Sequence, residues 1–223
     1  MNEMLKIILG YILTFGWVFL VLALTLALKR KRDLSDEASR KIVHVCVAFA
    51  WAPMALCFGT SWHLAVPTAA FIVLNAISYR RDLFSAMERS DESKKSLGTV
   101  YYAVSMTVMA VWTVLMPELL PCYGAGLFCM ALGDGLAPIV GGIEKGNVRL
   151  FGGRTLYGSL TVFVVSFAVL AFFNYVFAMA LGVWEMLVTA LAAVALELVG
   201  VKGYDNLTLP LGVFLLTFFF TLG

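Results

Sequence analysis

Phe15-Gly16-Trp17-Val18-Phe19-Leu20-Val21-Leu22-Ala23-Leu24-Thr25-Leu26-Ala27-Leu28-Lys29-Arg30-Lys31-Arg32 closes an apolar run that begins at Leu5. A helix rising about 1.5 Å per residue needs roughly 20 such residues to cross the hydrocarbon of a bilayer, so this run reads as a membrane span. It is too long for a signal peptide, lacks a small-residue cleavage pattern and ends on consecutive cations, which marks it as retained. Those cations also orient it: Lys and Arg collect on the cytoplasmic side, which places the N-terminus outside.

The rest of the chain has the same character. Of its 223 residues 61% are hydrophobic and 13% charged, and the mean hydropathy of +0.92 excludes an ordinary water-soluble domain. With the run at 5–28, further apolar runs at 42–58, 62–78, 99–116, 121–143, 156–178, 184–199 and 207–223 predict eight spans. The expected fold is therefore an all-α polytopic integral membrane helix bundle, with both termini on the non-cytoplasmic side. Threading the spans alternately puts loops 29–41, 79–98, 144–155 and 200–206 in the cytoplasm, where they carry 15 of the 16 Lys and Arg residues and leave Lys6 outside. The net charge of +2 thus conceals a basic cytoplasmic face suited to anionic headgroups or nucleotide phosphates. Cys46, Cys57, Cys122 and Cys129 show no CxxC spacing and imply neither a disulfide framework nor a metal framework.

Asp134 is the most informative polar residue, an acid within Leu132-Gly133-Asp134-Gly135-Leu136-Ala137-Pro138-Ile139-Val140-Gly141-Gly142. A carboxylate at membrane depth costs several kcal/mol unless it faces a cavity, a cation or a partner, which makes it a candidate functional group. Gly133, Ala137 and Gly141, spaced by four, form a smooth strip for close helix packing. A helix broken near Pro138 or Gly141-Gly142 would bring Asp134 within about 10 Å of a cytoplasmic pocket.

Other unusual polar groups fall on the same side of the bilayer. Arg40, Lys41 and His44 open the second span, with Arg40 and His44 four apart on one helical face. Basic residues at such a position also snorkel to lipid phosphates. The segment 146–159, with Gly152, Gly153, Arg154, Thr155, Gly158 and Ser159, combines flexible backbone, a guanidinium and hydroxyls at a helix N-terminus, the parts of an anion cradle. It matches neither a Walker A loop nor G-x-G-x-x-G. Glu197, Asp205 and Asn206 supply hard oxygen ligands of the kind magnesium takes, although Asp205 or Asn206 could equally cap the last helix.

Taken in order, Arg40-Lys41-x-x-His44, Gly133-Asp134-x-x-Ala137-x-x-x-Gly141, Gly153-Arg154-Thr155-x-x-Gly158-Ser159 and Glu197 followed by Asp205-Asn206-Leu207-Thr208-Leu209-Pro210 resemble the polyprenol kinase family, which includes dolichol kinases, phytol kinases and CTP-dependent diacylglycerol kinases. Gly98-Thr99-Val100-Tyr101-Tyr102 is similar to a further block of that family. The resemblance implies a single transmembrane catalytic domain over 1–223, with 1–28 as a peripheral first span and 37–213 as the family-like core. It also implies magnesium-dependent transfer of the γ-phosphoryl group of CTP to the hydroxyl of a membrane lipid alcohol at the cytoplasmic face. Arg154 stands where many members carry Lys, replacing a point ammonium with a planar fork.

On that reading the catalytic candidates are Asp134, His44 and Glu197, with Asp134 or His44 accepting the acceptor hydroxyl's proton. Asp134, Asp205 and Glu197 are the candidate magnesium ligands. Arg40, Lys41, Gly133, Gly141, Gly142, Lys145, Gly153, Arg154, Thr155, Gly158, Ser159 and Asn206 are the candidate nucleotide-binding positions. The expected partners are the bilayer, a lipid alcohol and a nucleoside triphosphate, and not nucleic acid. A phosphatidate cytidylyltransferase is the nearest rival, though the chain lacks a dense Asp-rich signature. An ion-coupled transporter is the more distant one, and the chain shows no evident inverted repeat.

Overall fold

The computed structural model describes residues 2–81, 97–143, 147–200 and 203–222. Among them the chain forms nine α-helices: α1 (Glu3–Arg32), α2 (Asp36–Ala48), α3 (Trp51–Phe58), α4 (Ala65–Arg81), α5 (Gly98–Leu115), α6 (Leu120–Gly141), α7 (Leu156–Phe177), α8 (Val183–Val199) and α9 (Asp205–Leu222). Short 3-10 turns occur at Trp62–Leu64, Pro117–Leu119 and Phe151–Gly153, and an isolated antiparallel bridge pairs Arg149 with Thr155. The fold is the all-α polytopic bundle expected.

Seven helical stretches among the described residues are long and apolar enough to cross a membrane, one of them, Asp36–Phe58, made of α2 and α3 together. The difference from eight lies at α8, whose 17 residues extend about 25 Å against roughly 30 Å of hydrocarbon. Glycine ends it for a reason of space. A Cβ at Gly200 would lie 2.6 Å from the Cβ of Asp205, so the chain turns back at once into α9.

The chain divides into two compact units, Met1–Pro117 and Glu118–Gly223. In the first, α1 buries a stripe of Gly10, Thr14, Val18, Val21, Leu22 and Thr25 at helical spacing. The opposite face exposes Met4, Ile12, Phe19 and Leu20, which a soluble helix could not do but a lipid-facing one must. Val18, Val21 and Leu22 pack with Val43 and Ala50, and Trp17 Nε1 donates to the Cys46 carbonyl at 2.8 Å. Ser35 caps α2 by accepting from the Ala38 amide at 3.2 Å. At the other end of α1, Tyr11 and His63 Nδ1 share a 2.8 Å hydrogen bond.

In the second unit α6 is the central helix, with Cys122–Leu127, Cys129–Ala131, Gly133–Gly135 and Ala137 all buried. Its many small residues are what allow this, because apolar side chains gain little by leaving lipid and helices there associate through close backbone approach. A Cβ at Gly126 would sit 2.6 Å from the Pro210 carbonyl oxygen of α9, and one at Gly141 would sit 2.6 Å from Thr155 Oγ1. Gly133 faces Val162 and Ser166 of α7 at ordinary contact distance. The strip of Gly133, Ala137 and Gly141 is therefore the seam along which α6 meets α7. The helix runs through Pro138 and stops at Gly141, with Gly142 donating its N–H to the Pro138 carbonyl at 3.0 Å.

Gly126→Ala should force α6 and α9 apart and lower stability by about 1–3 kcal/mol, the usual cost of overpacking. Gly16→Ala, whose added Cβ meets nothing within 4 Å, should not. Thermal unfolding of the two variants in detergent, followed by size-exclusion fluorescence, checks the contrast.

Candidate functional site

The second unit gathers four of the candidate residues into one ionic cluster. Arg154 Nη1 lies 2.9 Å from Glu197 Oε1 and 3.6 Å from Asp134 Oδ1. Its Nη2 lies 2.6 Å from Asp205 Oδ2 and 3.4 Å from the Gly200 carbonyl oxygen, to which it donates. The three acids come from three different helices, α6, α8 and α9, and are almost wholly buried at 2%, 1% and 6% exposure. The guanidinium's planar fork can serve two directions at once, a geometry a lysine ammonium lacks.

Each acid is held where it is by helix position. Asp134 lies two turns inside α6, about 10 Å from its end at Gly141. Pro138 follows it by four residues and has no N–H to return to the Asp134 carbonyl, so the helical ladder misses a bond there. Pro210 stands in the same relation to Asn206 in α9. Glu197 sits two residues before α8 ends at Val199. Asp205 opens α9 and divides its oxygens, Oδ1 accepting from the Asn206 amide at 3.1 Å and Oδ2 from Arg154. It is thus both a helix-start residue and an ion-pair partner of Arg154, the second a role the sequence reading did not foresee.

Arg154 is carried by a small hairpin. Leu150 N–H donates to the Arg154 carbonyl at 2.7 Å and Leu156 N–H to the Val148 carbonyl at 2.8 Å. At its tip Gly152 and Gly153 have φ of 67° and 79°, conformations glycine adopts without a Cβ penalty. The hairpin is pinned to both flanking helices by Asn147, whose Nδ2 donates to the Gly141 carbonyl at 2.8 Å and whose Oδ1 accepts from the Tyr157 amide at 3.1 Å. Thr155 adds a cap, its Oγ1 accepting from the Gly158 amide at 3.2 Å. Burial works against the charge on Arg154, but the Glu197, Asp205 and Asp134 carboxylates favour it, and the balance raises its pKa above the ordinary arginine value.

Sequence reasoning did not single out Asn147 or the Gly200 carbonyl. Asn147 was legible only as one polar residue in a glycine-rich stretch, and a backbone carbonyl leaves no mark on a sequence. Ser159 is buried, and its Oγ has no hydrogen-bond partner among the described residues. Gly133, Gly141 and Gly158 line the α6–α7 seam, and a Cβ on Gly142 would lie 3.2 Å from the Pro138 carbonyl oxygen. Lys145 lies outside the described residues.

Arg40, Lys41 and His44 belong to the first unit. Arg40 Nη2 is paired with Glu37 Oε1 at 2.6 Å, one turn earlier on the same helix. Lys41 and His44 are buried. The His44 ring meets Tyr102 edge-on at 5.0 Å between centroids, and Tyr102 donates its hydroxyl to the His44 carbonyl at 3.4 Å. Tyr102 belongs to the Gly98–Tyr102 block, so the two sequence blocks of this unit meet at that contact.

A phytol kinase from Synechocystis sp. (strain ATCC 27184 / PCC 6803 / Kazusa) is 33% identical over 199 residues, covering 85% of this chain and 82% of the relative. The chain belongs to the polyprenol and phytol kinase family. No protein-family model matches it, and no solved structure does. Membership makes it a kinase, that is, a phosphotransferase, and its apolar helices make it an integral membrane protein. For such a kinase the ionic cluster in the second unit is the candidate site, because it gathers titratable side chains where charge is expensive.

Arg154→Ala should lower stability by about 3–5 kcal/mol, because it strips the guanidinium from three buried carboxylates. Arg154→Lys, which keeps the charge and loses the fork, should lose less. Unfolding midpoints of both proteins in the same detergent measure the difference.

Proposed function

We propose that this kinase transfers the γ-phosphoryl group of a nucleoside triphosphate, CTP by family resemblance, to the hydroxyl of a membrane lipid alcohol of the phytol or polyprenol type. The observation that carries the reading is the Arg154 cluster, in which three helices and a glycine hairpin direct three carboxylates and one guanidinium to a common point. Phosphoryl transfer asks a protein for positioning and charge neutralisation more than for covalent chemistry, and these are the groups that supply both. The named relative, a phytol kinase, supports an isoprenoid alcohol as acceptor.

Carboxylate oxygens from Asp134, Glu197 and Asp205, with the Asn206 amide, are hard ligands of the class magnesium takes, but with Arg154 among them no three such acids of the described residues are gathered to hold an ion. Magnesium, when bound, would neutralise the triphosphate's negative charge. The chain's own residues do the rest. Arg154 binds phosphate oxygens bidentately, with the hairpin backbone around Gly152 and Gly153 close to them. We take Asp134 as the base that accepts the hydroxyl proton of an alcohol whose tail stays among the helices; His44 is the other base that the sequence offers. Arg40 and Lys41, with Lys145, add positive charge on the face taken as cytoplasmic; Gly142, Thr155 and Ser159 belong to the nucleotide-binding segment, and Gly133, Gly141 and Gly158 serve it by letting α6 and α7 close.

A transfer assay with γ-labelled CTP, ATP and GTP against phytol, a polyprenol, diacylglycerol and phosphatidate tests this. The expected result is a labelled phosphate on an isoprenoid alcohol, with CDP as coproduct. Release of pyrophosphate from phosphatidate and CTP would instead mark a cytidylyltransferase. Asp134→Asn should reduce transfer by at least about 100-fold, as loss of a positioned general base or metal ligand does, while the protein still elutes as folded.

A further inference from the structure

α6 ends at Gly141 and α7 begins at Leu156. The last four carbonyls of a helix and its first four amides have no partner within it, so the Gly141 carbonyl and the Tyr157 amide each need one from elsewhere. Asn147 serves both. Its Nδ2 donates to the first at 2.8 Å, and its Oδ1 accepts from the second at 3.1 Å. A carboxamide carries donor and acceptor in one plane, whereas a carboxylate, with acceptors only, could not close both bonds.

Packing does little to place the hairpin that Asn147 starts. Val148 and Phe151 are 57% and 71% exposed, and of its apolar side chains only Leu150 is partly covered. The bonds from Leu150 to Arg154 and from Leu156 to Val148 give the hairpin a shape but not a location. Thr155 Oγ1 also donates to the Gly141 carbonyl, at 3.4 Å, a longer contact than that of Asn147. The three carboxylates hold Arg154 at its guanidinium end; Asn147 holds the backbone from which that side chain extends.

We propose that Asn147 is a positioning residue for the phosphoryl donor. It acts through Arg154, fixing the hairpin against the ends of α6 and α7 so that the guanidinium is already aimed when phosphate oxygens arrive. The inference rests on the kinase reading above and adds to it the residue that sets the geometry of Arg154. A pre-placed binding group acts alike on ground state and transition state, so losing the placement raises KM and leaves kcat little changed. A residue that only supports the fold has a different signature: a lower unfolding midpoint, with the kinetic constants of the folded protein intact.

Two measurements on purified protein in nanodiscs test this. In steady-state transfer, Asn147→Ala should raise KM for CTP, or for whichever of ATP and GTP proves the donor, by about tenfold, well within what a misplaced group costs. The same substitution on an Arg154→Lys background should raise KM by less, because residues that act through one another are not additive. The second measurement needs no substrate. Phenylglyoxal modification of Arg154, read by peptide mass spectrometry, should run several-fold faster in Asn147→Ala than in wild type, while the exposed Arg30 and Arg32 react at an unchanged rate. Asn147→Gln, which keeps donor and acceptor on a longer arm, should fall between, and it carries both measurements if Asn147→Ala does not fold.

A wild-type KM, or a wild-type rate of Arg154 modification, in the variant that carries the test would overturn the assignment. Equal effects of that variant on the wild-type and Arg154→Lys backgrounds would do the same. Faster modification of Arg154 in a protein that phosphorylates no lipid alcohol with any of the three nucleotides would uphold the placement of Arg154 by Asn147 and sink the kinase reading alone.

Discussion

One half-buried guanidinium organises the second half of this protein. Arg154 bridges acids from α6, α8 and α9, and those acids would be prohibitively costly in a membrane interior without a cation. The pairing is long in sequence, spanning 51 residues between Arg154 and Asp205. It also involves the Gly200 carbonyl, 46 residues away. The ends of α8 and α9 and the hairpin before α7 are thereby tied together around one charge. The glycines that let α6 approach α7 and α9 serve the same arrangement, since a bulkier seam would lift Asp134 out of reach of Arg154.

Buried ion clusters of this kind contribute little net stability when compared with well-packed apolar groups, because desolvation offsets the attraction. Their presence in a chain this apolar points to chemistry. In a kinase of this family that chemistry is phosphoryl transfer, which relies on placed charge. The support on which each charge stands then matters as much as its sign: three acids sit on helices packed through small residues, and the cation sits on a hairpin whose tip is two glycines.

Much of the architecture was readable from composition and periodicity. The apolar runs became helices with nearly the predicted bounds, because a backbone in lipid must satisfy its own hydrogen bonds and an α-helix does so within one segment. Asp134 was conspicuous for its cost, and the strip of Gly133, Ala137 and Gly141 announced a close helix contact. The run at 184–199 became α8 with nearly those bounds, but at 17 residues it is the one expected span not among the seven long enough to cross. Asn147 went unnoticed because its role, bridging the end of α6 to the start of α7, exists only once those two ends are adjacent. Reading Asp134, Glu197 and Asp205 as magnesium ligands and Arg154 as a phosphate ligand treated them as separate parts; the structure has them in direct contact.

Helical class, the apolar runs and the identity of the expensive polar groups follow from local chemistry: run length against bilayer thickness, and the transfer cost of a charge. Those quantities need no knowledge of which helices are neighbours. The partner of each charge does need it. Arg154 could have paired with lipid phosphate, with a nearby acid or with nothing, and the choice of Glu197, Asp205 and Asp134 arises because the small-residue seams of α6 bring three helix ends together around one hairpin. Ion pairing acts over a few ångströms, so only the packed fold decides it.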